Sequence, residues 1–274
     1  PSKWRGYYNE SVFRYKSTVG GAVAKVRLLW HQVITSENKR LQLLVDDMMS
    51  YEKMITLPQA DEFMIFQLTD AYFSRGLYKR ATDELLAFYK KVERPLYVEK
   101  FQRRIGRGIA FQIKDHIAKN ELKEAFKVYE NYDEVWFKKS ERVDYGYLKG
   151  LAYEKAKVYP AAIQAYNEFL KKFTKLADPE SVRLYEGLPP VDFVHLRLAK
   201  SYLENKQFGL ASSVLSQIKM ANISDEEKDE FYTVSAKIDI NNERWASAID
   251  KLQKVSKSNF DIVNLKADVQ ASLK

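Results

Sequence analysis

Three histidines, His31, His116 and His195, are the first residues to weigh for chemistry, because imidazole both binds metals and moves protons near neutral pH. They lie far apart in the chain. None has a second ligand at i+3 or i+4 on its own helix, so no metal pair is expected, and each reads as a packed or surface histidine. The chain has no cysteine, which removes disulfides, thiolate zinc sites and cysteine nucleophiles together. Gly106-Arg107-Gly108 has no strand before it and no third glycine, and Gly20-Gly21 fails the same way, so neither is a phosphate loop. No Gly-x-Ser-x-Gly elbow occurs. Asp46-Asp47, or Asp144 with Glu154, could work as acid and base only if tertiary structure brought carboxylates together. Solvated helix faces are their expected home. No catalytic residue, no metal and no cofactor is therefore expected, and the chain reads as non-enzymatic.

The elements that carry these residues are helical. Between Val143 and Leu176, Gly150 lets a neighbouring helix approach and Tyr153 faces the same side three residues on. Pro160 opens a second helix at its first position, and Ala162, Tyr166 and Phe169 follow at helical spacing. This pattern resembles the tetratricopeptide (TPR) repeat, departing from it at Gly146, where that family has Trp. The resemblance implies an all-α fold, a TPR-like helical-hairpin solenoid preceded by a long helical N-terminal segment. Its register can be followed by an alanine in each second helix: Ala81, Ala125, Ala162, Ala211 and Ala248. The intervals between them are unequal, so structure must be inserted between repeats. Two domains are expected, residues 1–57 as a basic aromatic arm and long helix, and residues 58–274 as five hairpins with inserted helices and a C-terminal capping helix.

Taken in order, residues 1–21 mix aromatic and basic side chains without clean helical periodicity, and Gly20-Gly21 predicts a hinge. From Ala22 to Ile55 apolar residues keep to one helical face, as one helix or as two broken at Thr35-Ser36. Leu57-Pro58 starts the next helix. Pro95 to Ile105 either lengthens the helix that follows or adds a turn to it. Asp178-Pro179 starts a short inserted helix that Gly187 and Pro189-Pro190 end. Ser224-Asp225-Glu226-Glu227 spells a capping box. Phe260 to Leu273 reads as the final cap of an open-ended stack.

The resemblance to TPR also implies a concave face lined by the first helix of each hairpin. On that face it places an apolar track of Phe66, Phe73, Tyr147, Leu151 and Leu203 beside the charges of Arg107, Lys114 and Lys200. These eight residues are the expected partner-binding set. An apolar groove calls for an occupant, either a protein partner or the chain's own helix. The Lys and Asn set that clamps a C-terminal carboxylate in some TPR proteins is missing, so that mode of binding is not expected.

The net charge is +8, and the first 45 residues hold eight basic residues against Glu10 and Glu37 alone, so steering toward an acidic partner is concentrated there. Lys and Arg interleaved with aromatics could suit nucleic acid, but no nucleic-acid fold accompanies them, and a protein surface is the expected partner. No small-molecule substrate is expected, and no apolar run reaches the length of a membrane span. The start at Pro1 fits removal of a signal peptide, which makes the periplasm the expected compartment and the cytoplasm the alternative. With the absence of cysteine and the abundance of Tyr and Phe, the whole chain resembles the sheath proteins that coil spirochaete periplasmic flagella. That resemblance implies a structural subunit that coats a filament, with filament or sheath subunits as partners. The alternative is a soluble scaffold that binds a peptide or helix in its groove.

Overall fold

The structure, a computed structural model, describes residues 3–35, 41–52, 58–92, 95–132, 136, 144–173, 188–256 and 260–272. It is all-α: the described residues form fourteen α-helices and a short 3-10 turn, with no strand among them. They are α1 (Lys3–Arg14), α2 (Val19–Thr35), α3 (Leu41–Glu52), α4 (Pro58–Ser74), α5 (Tyr78–Lys91), α6 (Val98–Ala118) and α7 (Leu122–Tyr132). Then follow α8 (Asp144–Lys155), α9 (Tyr159–Phe173), α10 (Val191–Glu204), α11 (Phe208–Leu215), α12 (Asp225–Asn241), α13 (Trp245–Gln253) and α14 (Phe260–Ser272). The chain forms two compact units, the first from residues 1–115 and 127–141, the second from 116–126 and 142–274.

In the first unit α2 and α3 are two helices that fold back on each other, not one continuous rod. Val26, Leu29 and Val33 of α2 pack with Met48 of α3 and Met64 of α4, and Lys25 near the start of α2 lies 5.9 Å from the Tyr51 ring near the end of α3. The expected break at Thr35-Ser36 coincides with the last residue of α2, and residues 36–40 lie outside the described residues. The hinge expected at Gly20-Gly21 is corrected. Both glycines sit in the first turn of α2, and the bend is at Tyr15 to Thr18. Thr18 caps this turn by accepting the Gly21 N–H at 3.2 Å, and a Cβ on Gly21 would lie 2.0 Å from the Tyr15 carbonyl, so glycine is needed for contact. The weakly periodic arm forms α1 all the same, with no buried residue, and Trp4 rests 5.0 Å from His31 of α2.

Pro95 to Ile105 lengthens a helix: α6 runs unbroken through Gly106 and Gly108. Its start is capped from α4, where the buried Glu62 carboxylate accepts the N–H groups of Leu96 at 2.6 Å and Tyr97 at 3.0 Å. A carboxylate so placed takes up two donors where the chain enters α6 and sits at the positive end of the helix. Phe66, Phe88 and Tyr89 close around the fully buried Phe101.

In the second unit α8 packs along α9, α9 on α10, α10 on α11 and α12, and α13 on both α12 and α14. α9 begins at Tyr159, one residue before the expected Pro160. The capping box at Ser224 is present in full, with Ser224 accepting the Glu227 N–H and Glu227 accepting that of Ser224 at 2.6 Å. The short helix expected from Asp178-Pro179 lies outside the described residues.

One turn recurs five times. After α4, α6, α8, α10 and α12 the residue two beyond the helix, Gly76, Asn120, Lys157, Lys206 and Glu243, takes a left-handed φ between 58° and 71°. Each donates to the carbonyl three residues back, and the next residue donates five back, to Tyr72, His116, Tyr153, Tyr202 and Asp239. This is the Schellman closure of a helix C-terminus. Five residues past the left-handed position stand Ala81, Ala125, Ala162, Ala211 and Ala248, each fully buried. The alanine register read from the sequence is thus the register of the turns.

Candidate functional site

In the second unit the first helices of the hairpins carry a buried ionic network. Glu154 at the end of α8 is almost fully covered, and accepts the Tyr166 hydroxyl of α9 at 2.8 Å. Arg197 of α10 places Nε 3.2 Å from the same Glu154 oxygen and Nη1 3.1 Å from Glu230 of α12. Lys200 follows three residues later on the same face of α10, with Nζ 2.6 Å from Glu230 and 3.9 Å from Glu154. Four helices therefore meet at two carboxylates and two cations. Burial pushes the Glu154 carboxyl above its ordinary range, while Arg197, the Tyr166 hydroxyl and Lys200 pull it back. Burial also raises the Tyr147 phenol to about 12, against Arg197 and with Glu154, and pushes Tyr166 far higher, with Glu154 again adding to the effect. Both tyrosines stay protonated, and Tyr166 acts as a hydrogen-bond donor.

Beside this network opens a groove of about 360 Å³ between α10, α12 and α14. Leu203, Val234, Val255, Ile262 and Leu265 form its apolar floor. Its rim holds Glu204, Glu226, Asp229, Glu230 and Asp261 against Lys200 and Lys237. Asp229 is turned to the segment after α13, accepting the N–H of Ser256 at 2.8 Å and its hydroxyl at 2.7 Å. Glu204, Glu226, Asp261 and Lys237 are exposed. Such a volume lies at the small end of the roughly 300 to 1,000 Å³ that ligand pockets span.

The expected partner-binding residues divide between the units. In the first, Phe66 and Phe73 are buried. Phe66 lies 4.6 Å from Phe101, and Phe73 lies 6.3 Å from Phe111, with Arg107 stacked 5.4 Å above Phe73 and 5.2 Å from Phe111. α6 of the same chain thus covers these two rings. Arg107 is half-buried and Lys114 exposed. In the second, Tyr147 is buried between Tyr166 and Phe169, at 6.2 and 6.1 Å, and Leu151 is half-buried. Only Lys200 and Leu203 line the groove.

Sequence reasoning missed Arg197, which joins Glu154 to Glu230, and the contribution of α14 to the groove wall. Arg197 stands three residues before Lys200, a spacing that marks a shared helix face, but its carboxylate partners are 43 residues upstream and 33 downstream. The three histidines have different surroundings. His31 meets Arg5, His116 meets Glu121 at 2.8 Å, and burial lowers the pKa of His195. No cluster of metal-ligating side chains occurs among the described residues, and no described helix is long and apolar enough to cross a membrane. The chain matches no protein-family model, and no curated protein is significantly similar to it.

Proposed function

We propose that this chain is a non-enzymatic protein-interaction and structural subunit, built as a TPR-like solenoid in which residues 1–57 precede five hairpins and a capping helix. The observation that carries the reading is the recurrence of one turn, with the same left-handed position, the same pair of hydrogen bonds and the same buried alanine in five places. A chain built by repeating one supersecondary unit buries each hairpin against its neighbours and presents extended surface in place of a single cleft. The ionic groups of the second unit, Glu154, Arg197, Lys200 and Glu230, pair with one another, as structural groups do. The exposed Tyr7, Phe13 and Tyr15 of the basic N-terminal segment are the kind of side chains that assembly covers.

In its specific form the proposal is a subunit of a large bacterial envelope assembly in the periplasm, a coat of the flagellar filament. The support for this form is the whole-chain resemblance to the flagellar-coiling sheath proteins. The groove between α10, α12 and α14 favours a second reading, a soluble scaffold that receives a peptide or helix there. A photo-crosslinking residue placed at Lys237 or Tyr7 in cells, followed by mass spectrometry of the adducts, separates the two. Filament or sheath subunits are the expected adducts. A discrete soluble partner captured only from Lys237 would select the scaffold, and adducts with neither kind of protein would overturn both.

A further inference from the structure

We propose that the groove of α10, α12 and α14 is one half of a head-to-tail contact whose other half is α1 of a second copy of this chain, an inference that rests on the assembly reading above. The groove offers an apolar floor and an acidic mouth. The carboxylates that line it, Glu204, Glu226, Asp229, Glu230 and Asp261, outnumber Lys200 and Lys237, and Lys200 and Glu230 are paired at 2.6 Å. This local excess of negative charge stands out in a chain of net charge +8.

The complement is on the same polypeptide. α1 and the turn after it expose Lys3, Arg14 and Lys16 against the single acid Glu10, with which Arg14 forms one surface pair, while Arg5 turns to His31. Among them stand two aromatic rings, Tyr7 at 70% exposure and Phe13 at 86%. α1 turns its other side to α2, through Trp4 on His31, so the aromatic and basic side points to solvent. Phe13 is the most exposed large apolar side chain described in the chain. Aromatic anchors flanked by cations match an apolar floor ringed by carboxylates in both polarity and charge. The surfaces are different, so the contact is heterologous: every copy that joins leaves one α1 or one groove open, and association continues into a ring or an open fibre.

Sedimentation velocity of the full chain over a range of concentrations tests this, with two folded variants as controls. One breaks α1 (Phe13→Asp with Arg14→Glu), the other the groove mouth (Glu204→Lys with Asp261→Lys). All four positions are exposed, and circular dichroism checks each fold. The wild type should grow in size with concentration at low salt and return to monomer at about 1 M salt, where the screening length is about 3 Å. Each variant alone should remain monomeric, and an equimolar mixture of the two should form a heterodimer that grows no further. A wild type that is monomeric throughout, a variant that assembles like the wild type, or a mixture that stays monomeric would each overturn the contact. Monomeric wild type together with filament adducts in cells would overturn this contact and leave the assembly reading standing. Assembly in vitro without filament adducts would sustain the contact and sink the wider reading. If either charge-reversed protein loses helicity, Phe13→Ser and Asp261→Asn replace it, with at least a tenfold weaker self-association expected and an unchanged value overturning the contact.

Discussion

At Gly150 a Cβ would lie 2.5 Å from ring carbons of Tyr166, and that ring cannot step aside because its hydroxyl is held by Glu154 and its body is fully buried. Gly150→Ala should therefore overpack α8 against α9 and cost about 1 to 3 kcal/mol, read as a lower melting temperature with unchanged helicity beforehand. At Gly146 a Cβ would stand 3.2 Å from that of Phe169, so the space a larger side chain would need there is already taken. Asp239, buried on α12, shows the electrostatic side of the same economy. Burial alone would raise its pKa, but hydrogen bonds from Lys251 and Ser247 and the charges of Lys251 and Arg244 bring it below the ordinary 3.8. A carboxylate with a depressed folded pKa contributes stability that is present above the unfolded value and is lost as pH falls through the folded one. Asp239→Asn should thus lower stability at neutral pH by about 2 kcal/mol, less than a fully buried pair because Arg244 is more than half exposed. It should also flatten the acid limb below about pH 4, where denaturant titrations of both proteins would converge. An acid limb as steep as that of the wild type would show that Asp239 is not the linked group.

At the scale of elements, one Schellman turn is repeated at the ends of five helices, each time leading into the next helix. Its left-handed position is free of strain at Gly76, tolerable at Asn120, and costly at Lys157, Lys206 and Glu243, which carry a Cβ where the backbone disfavours one. Lys206→Gly should relieve that strain and raise stability by about 1 kcal/mol, seen as a higher urea midpoint with the same slope. A lower midpoint would mean that the gain in unfolded-chain entropy outweighs the relief. The alanine that follows was legible in the sequence because close helix approach admits only a small side chain. The left-handed residue was not, because lysine and glutamate carry no mark of the conformation that their surroundings impose. α1 escaped the sequence for a related reason: with no buried residue, it never needed a periodic apolar stripe.

For the whole molecule, charge is distributed so that the basic excess lies in the first 45 residues while the groove mouth of the second unit is acidic. Deleting residues 1–15 should leave the melting temperature nearly unchanged, since α1 buries no residue, yet abolish the salt-sensitive part of any association. Binding that is equally salt-sensitive without the arm would assign the basic residues to solubility alone. By itself the sequence determined the all-α character, the alanine register, the capping box at Ser224 and the final helix, because each is written in residues within one or two helical turns of one another. Tertiary structure alone decided that α2 and α3 fold back on each other, that Phe66, Phe73 and Tyr147 are covered by neighbouring helices, and that Arg197 bridges Glu154 to Glu230. It also decided that α14 walls the groove. Those facts depend on which faces of distant helices meet in space, and a helical stripe shows that a face is apolar without showing what will be laid upon it.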